Sequence, residues 1–316
     1  MGLQFPTRIF LLLMFLAGGT VPVVAQNNLG SFSMTDAAYL EPTVTTIEEW
    51  VREVSLVLSV TDQKGRFVGN LQPSDFNILD NDRRQEALTF FESETNLPLH
   101  VALLLDVSSS VAYKFPLEQG TIGQFFREVA RPPDKVGVFA FNQDVRLVAP
   151  ITNNWRQVSR RIRKLKADGE TALYDAISQA GLWLGQDREP SRHIMILITD
   201  GQDNSSKSSL EETISRVLMA EASIYAVNVN EDFPVDLAEE GEANLKKLAD
   251  ATGGIYLHAD SDGAVGRAFG KIRRELRSQY AVAYRPSDLA EQPFHRLQVI
   301  VPNHLRARCR TGYYIK

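Results

Sequence analysis

The chain has 316 residues, 39 of them acidic and 34 basic, for a formal charge of −5. Apolar residues at 44% and charged residues at 23% exclude a disordered tail, a collagen and a multi-span membrane protein. The acidic balance argues against a nucleic-acid partner, and the single cysteine, Cys309, excludes an internal disulfide or a cysteine-rich zinc site.

In chain order, Arg8 precedes an apolar run from Ile9 to Ala17. Gly18-Gly19 breaks the run, and Val23-Val24-Ala25 offers small or modest residues where a signal peptidase reads. Residues 1–25 therefore read as a cleaved secretory signal, with an uncleaved anchor as the other reading. The mature chain is expected in a periplasm or outside the cell. Stable membrane insertion is not expected, because no later stretch reaches the ~18 apolar residues of a membrane helix. Residues 26–44 are polar, small and aperiodic, and read as a flexible arm.

From Val54 the pattern has period two. Val54, Leu56, Leu58 and Val60 alternate with Ser55, Val57 and Ser59. Asp62-Gln63-Lys64-Gly65 is a turn, and Phe76–Leu79 and Leu88–Phe91 are further strands split by Asn81-Asp82. From Leu99 the runs become continuously apolar: Leu99–Leu105, Lys135–Phe141, His193–Thr199, Ser223–Val229 and Ile255–Leu257. Such runs suit strands buried on both faces of a mostly parallel sheet. Amphipathic segments lie between them, at Phe115–Ala130, Trp155–Leu165, Ala172–Leu184, Leu210–Ala220, Asn244–Ala251 and 264–279. This alternation predicts a doubly wound α/β domain over 97–279.

Period two then returns at Tyr280–Tyr284, at Leu297–Val301 and around Cys309, ending at Tyr313-Tyr314. In the last of these, alternation sets Arg306, Arg308 and Arg310 on one face and Cys309 with Ala307 and Thr311 on the core face. Neither β segment is large enough to fold alone. The expected architecture joins 45–95 and 280–316 into one small β-sandwich, with the α/β domain inserted between its halves.

The chemistry gathers at strand ends. Asp106 closes the first apolar run, in Asp106-Val107-Ser108-Ser109-Ser110, and Asp200 closes the third, in Asp200-Gly201-Gln202-Asp203. In a parallel sheet both ends lie on the ligand-binding edge. Thr171 precedes a helix whose start points to the same edge. Two carboxylates and three hydroxyls form an all-oxygen set suited to a hard cation: Mg²⁺ first, with Mn²⁺ or Ca²⁺ as other options. Ser109 reads as loop filler, Asp175 and Glu170 as ordinary helix or rim residues, and Asp203 as a turn. The five histidines read as packed or solvated. The basic run Arg156–Lys166 reads as the solvated side of an amphipathic helix, with anionic lipid or glycan contact as the lesser alternative.

At these residues the sequence resembles the von Willebrand factor type A family. Its metal-ion-dependent adhesion site has an Asp-x-Ser-x-Ser loop, a distant Thr and an Asp before Gly. Asp106, Ser108, Ser110, Thr171 and Asp200 match all five. Three flanking segments, Val60–Gly65, Ser74-Asp75-Phe76 and Arg310-Thr311-Gly312-Tyr313-Tyr314, resemble an acidobacterial-type subfamily of exported A-domain proteins.

The resemblance implies a cation-dependent protein-binding module. Its partner supplies an Asp or Glu as the last metal ligand, and the segment 264–279 is the terminal helix that can shift in such domains. A metal-dependent phosphohydrolase is the alternative. It would need a carboxylate where Ser108 stands, and the sequence has no phosphate-cradling loop ending in Lys-Ser or Lys-Thr. A scaffold with an unoccupied site is the third reading.

Overall fold

The computed structural model describes residues 53–112, 122–123, 131–187, 189–229, 235–259, 261, 263–287 and 293–315. The predicted signal over 1–25, the arm over 26–44 and most of the predicted helix over 115–130 lie outside them. Ile122 and Gly123, from that predicted helix, are helical and buried.

The strands are β1 (Val54–Thr61), β2 (Asn77–Asp80), β3 (Arg83–Arg84), β4 (Leu88–Glu92), β5 (Leu99–Asp106), β6 (Lys135–Phe141) and β7 (Val145–Thr152). They continue as β8 (Arg192–Thr199), β9 (Ala222–Asn228), β10 (Ile255–His258), β11 (Tyr280–Tyr284), β12 (Phe294–Ile300), β13 (Arg306–Arg308) and β14 (Gly312–Tyr314). The helices described are α1 (Trp155–Ile162), α2 (Leu173–Leu184), α3 (Leu210–Met219), α4 (Val235–Thr252) and α5 (Ala264–Leu276). Among the described residues no helix is long and apolar enough to cross a membrane.

The central sheet has the order β10-β9-β8-β5-β6-β7. Its first five strands are parallel, and β7 is an antiparallel edge. All eight residues of β5 are buried, so its side chains serve two cores. Val101, Leu103 and Leu105 join the core under α1 and α5. Ala102 and Leu104 join the core under α2 and α3. That two-sided burial is why the strand reads as an unbroken apolar run. Each fully buried Leu or Ile contributes about 1.5–3 kcal/mol relative to exposure. The sequence reading missed β7: it is largely exposed, carries Pro150, and pairs with β6 through register shifts, so neither period marks it.

The remaining strands come from both ends of the described chain and form two sheets, β13-β1-β11-β4 and β14-β12-β2-β3. Val54 pairs with Tyr284, and Ala281 pairs with Glu92, so β4 and β11 run side by side where the α/β layers begin and end. Leu56, Leu58, Ile78, Val282, Leu297 and Tyr313 share one apolar core between the sheets. A buried carboxylate ties them together. Asp80 Oδ2 accepts from the hydroxyls of Tyr284 (2.7 Å) and Tyr313 (2.8 Å), and Asp80 Oδ1 lies 2.8 Å from His295 Nδ1.

A second buried carboxylate joins these sheets to the α/β layers. Glu275 on α5 is 1% exposed. Its Oε1 accepts from Ser59 Oγ on β1 (3.0 Å), from the Tyr225 hydroxyl on β9 (3.3 Å) and from Arg308 on β13. This acceptor explains why Ser59, on the solvent parity of β1, is buried all the same.

One strand expectation is corrected. The chain around Cys309 is not one continuous strand. β13 pairs with β1 in one sheet and β14 pairs with β12 in the other, so residues 309–311 cross between sheets. The crossing packs on the end of α4: a Cβ on Gly253 would stand 2.5 Å from the Cys309 carbonyl carbon. Cys309 is half-buried at the edge of the β core, and burial pushes its thiol up to about 11.

Candidate metal centre

All five predicted donors lie at the C-terminal edge of the central sheet, Asp106 as the last residue of β5 and the other four in loops. Asp106 ends β5 and is buried (2% exposed). The chain then turns so that Ser108 N–H donates back to Asp106 Oδ1 at 2.9 Å. This short turn brings Ser108 Oγ within 3.0 Å of Ser110 Oγ. The alternate-residue spacing of Asp106, Ser108 and Ser110 thus gathers their oxygens at one place. Ser109, expected to be filler, has a positioning role. Its Oγ accepts from Gly169 N–H at 2.9 Å, and its own N–H donates to Gly169 O at 3.0 Å. These two bonds fasten the Ser108–Ser110 loop to the loop that carries Thr171.

Thr171 is buried just before α2. Its N–H donates to Asn204 Oδ1 at 2.8 Å, and its carbonyl accepts from the N–H groups of Asn204 and Ser205. The third loop, after β8, is therefore locked to the second. Asp203 and Asp175 complete that lock. Asp203 Oδ1 accepts from Tyr174 N–H (3.3 Å), while Asp175 accepts from the N–H groups of Lys207 (3.0 Å) and Ser208 (2.9 Å). Both match their predicted structural readings, and Glu170 is exposed at the rim.

Asp200 begins the third loop, 1% exposed. Its Oδ1 accepts from Gln202 N–H at 3.1 Å, but its Oδ2 is buried with no hydrogen-bond partner. Gly201 follows at φ +88, where a Cβ would meet the backbone of Gly241 at 2.9 Å. The turn after Asp200 therefore requires glycine on both conformational and steric grounds.

The sequence reading missed Thr199. Its hydroxyl donates to Asp106 Oδ2 at 2.6 Å and accepts from Gly201 N–H at 3.1 Å. Thr199 thus ties the Asp106 carboxylate to the loop that carries Asp200. Asn142 was missed as well: its Nδ2 donates to Asp168 O (2.9 Å), and its carbonyl accepts from Ala172 N–H (2.8 Å). The available signal was the polar residue next to each strand end, which turn chemistry explains equally well.

Electrostatics single out the carboxylates. Burial, and after it the negative charge of Asp200, push the Asp106 carboxyl up to about 7. Two buried carboxylates side by side, one with an unpartnered oxygen, call for a positive charge. Among the described residues no three His, Cys, Asp or Glu side chains are grouped to hold an ion. The hydroxyls of Ser108, Ser110 and Thr171 therefore have to complete any donor set. Such a set of hard oxygens fits a Mg²⁺-like cation, which Asp106, Ser108, Ser110, Thr171 and Asp200 would hold directly or through water.

Residues 101–202 match the family model for the von Willebrand factor type A domain. A von Willebrand factor type A protein from Catenulispora acidiphila superposes with a TM-score of 0.52 at 15% identity, over 78% of this chain and 75% of that one. Proximal thread matrix protein 1 from the mussel byssus gives a TM-score of 0.50 at 16% identity, over 62% and 51%. An aerotolerance-related membrane protein from Bacteroides fragilis NCTC 9343, with multiple mutations to serines, gives 0.47 at 20% identity, over 56% and 98%. No curated protein matches the sequence. The six-stranded sheet with its flanking helices is a von Willebrand factor type A fold.

Proposed function

We propose that the protein is an exported, divalent-cation-dependent protein-binding module. Mg²⁺, or Mn²⁺ or Ca²⁺ in its place, sits among Asp106, Ser108, Ser110, Thr171 and Asp200, and a partner's Asp or Glu supplies the last ligand. The observation that carries this reading is the buried, unpartnered Asp200 Oδ2 beside the buried Asp106 carboxyl. With the hydroxyls bound directly and the carboxylates through water, the ion's own ligand shell is nearly neutral, which favours one more anion. The signal-like residues 1–25 and the flanking segments resembling exported proteins support export. Ser108 Oγ hydrogen-bonds both Ser110 Oγ and the Asp106 carboxyl, which places it among the oxygen donors of the proposed site.

The test has two stages. Calorimetric titration with Mg²⁺ should give a saturable heat that Asp106→Ala removes. Capture of envelope proteins on the immobilised chain should then require Mg²⁺ and fail with chelator or Asp106→Ala. Equal capture in all three conditions sinks the reading.

A further inference from the structure

Six cations lie between Asn154 and Ala167, with no acid among them: Arg156, Arg160, Arg161, Arg163, Lys164 and Lys166. All six are exposed. The ion pairs among the described residues involve none of them. In a chain of net charge −5 this is a concentrated exception.

Part of it works against the local fold. Arg156 and Arg160 are like charges four apart, and Arg156 stands at the positive end of α1. Only Val158 and Ile162 of the helix are buried. Arg160 and Arg163 turn Nε back onto the carbonyls of Arg156 (3.4 Å) and Ser159 (3.3 Å), and Arg161 donates to Val148 O on β7 at 2.7 Å. Gln157, Arg160, Arg161, Arg163 and Lys164 line a depression of about 470 Å³.

The depression is tied to the metal loop. Leu165 and Ala167 pack on Val107, and Asp168 N–H donates to Val107 O at 2.7 Å. Val107 lies between Asp106 and Ser108. Four Cα steps from Lys164 to Asp168 span at most ~14 Å, the reach of about four extended residues. Two exposed acids, Asp168 and Glu170, occupy the intervening loop and repel negative charge there.

We infer that the partner segment is bipartite. One carboxylate caps the metal, about four uncharged residues cross the Asp168–Glu170 loop, and a cluster of acidic side chains fills the basic depression. This inference rests on the metal-bridge reading and names the partner chemistry of that site. Arginine-rich lining suits carboxylates, because the planar fork takes two oxygens at once.

The test uses the full chain and two labelled peptides in Mg²⁺. One is Glu-Gly-Ser-Gly-Ser-Glu-Glu-Glu, and the other keeps only the first Glu, with Gln for the last three. The bipartite peptide should bind about tenfold tighter, the product of three exposed charge pairs. The variant Arg160→Gln/Arg163→Gln/Lys164→Gln should abolish that advantage and leave single-Glu binding unchanged. Raising salt should shrink the advantage as well. These substitutions are on the surface, so the unfolding midpoint should change little.

Equal affinity of the two peptides, or an advantage that survives the triple substitution, overturns the inference alone. If Asp106→Ala leaves both peptides bound as before, the metal reading falls and takes the inference with it. If the cations retain phosphatidylglycerol vesicles but show no peptide preference, the patch belongs to a bilayer surface and the inference is overturned.

Discussion

The buried Asp106 carboxyl makes folding stability depend on pH with a sign opposite to that of most carboxylates. Its folded value of about 7 stands above the ordinary 3.8, so the native state holds the proton more tightly than the unfolded chain does. Stability of the metal-free protein should therefore be highest near the lower value and fall as pH rises toward about 7. At about 1.4 kcal/mol per pH unit, that displacement amounts to about 4 kcal/mol. The acids held low by hydrogen bonds, such as Asp187 at about 2, act in the opposite sense, but below the window that opens at 3.8. A cation reverses the trend, because it replaces the proton and stabilises only the deprotonated site.

The assay is urea unfolding from pH 4.5 to 8, run on chelated protein, Mg²⁺-saturated protein and Asp106→Asn, an isosteric neutral side chain. The chelated wild type should lose stability with rising pH relative to Asp106→Asn, and the Mg²⁺-saturated wild type should gain it. Parallel curves for the chelated wild type and Asp106→Asn refute the reasoning, since no other group distinguishes the two proteins.

Three further outcomes follow from the same geometry. Thr199→Val removes the donor to Asp106 Oδ2 and should cost about 1–3 kcal/mol. Because the hydroxyl serves the charged carboxylate, the loss in urea unfolding of chelated protein should be larger at pH 8 than at pH 5. Gly201→Ala sets a Cβ 2.9 Å from the Gly241 backbone at φ +88, whereas Gly65→Ala at φ +74 meets nothing within 4 Å. The Gly65 change should cost about 1 kcal/mol of handedness strain. The Gly201 change should cost more and should also weaken Mg²⁺ heats, and equal losses would show that the close contact relaxes freely. Glu275→Ala leaves Arg308, Ser59 and Tyr225 without their shared acceptor and should cost about 3 kcal/mol, with Glu275→Gln costing less.

How much of this was legible in the sequence depends on what each residue does. The buried strands announced themselves because β5 and β8 feed two cores, so both parities must be apolar. Edge strand β7 did not, since one side faces solvent and its pairing is irregular. Period two found β1, but it ran the Cys309 region together. A crossing between sheets keeps the chain extended and preserves apparent alternation while changing partners. Strand direction set Asp106 and Asp200 at one sheet edge, loop spacing added Ser108 and Ser110, a helix start added Thr171, and the family resemblance joined all five. The residues that hold them, Thr199, Asn142, Asn204 and Ser109, act through one or two hydrogen bonds each across long sequence separations. No periodicity encodes such bonds.

The pairing of Val54 with Tyr284 also sets an order of events during synthesis. β1 emerges as Val-Ser-Leu-Val-Leu-Ser-Val-Thr, an apolar edge whose partner β11 is made only after all of the α/β layers. The α/β layers, by contrast, are built from contacts within one continuous stretch and can form first. Once formed, they hold their entry at Glu92 against their exit at Ala281, so the closing loop is already shortened when β11 arrives. Until then, β1 needs shielding. A chain arrested before residue 280 should expose this strand to aggregation, while a chain extended past β11 should close it within a single docking step.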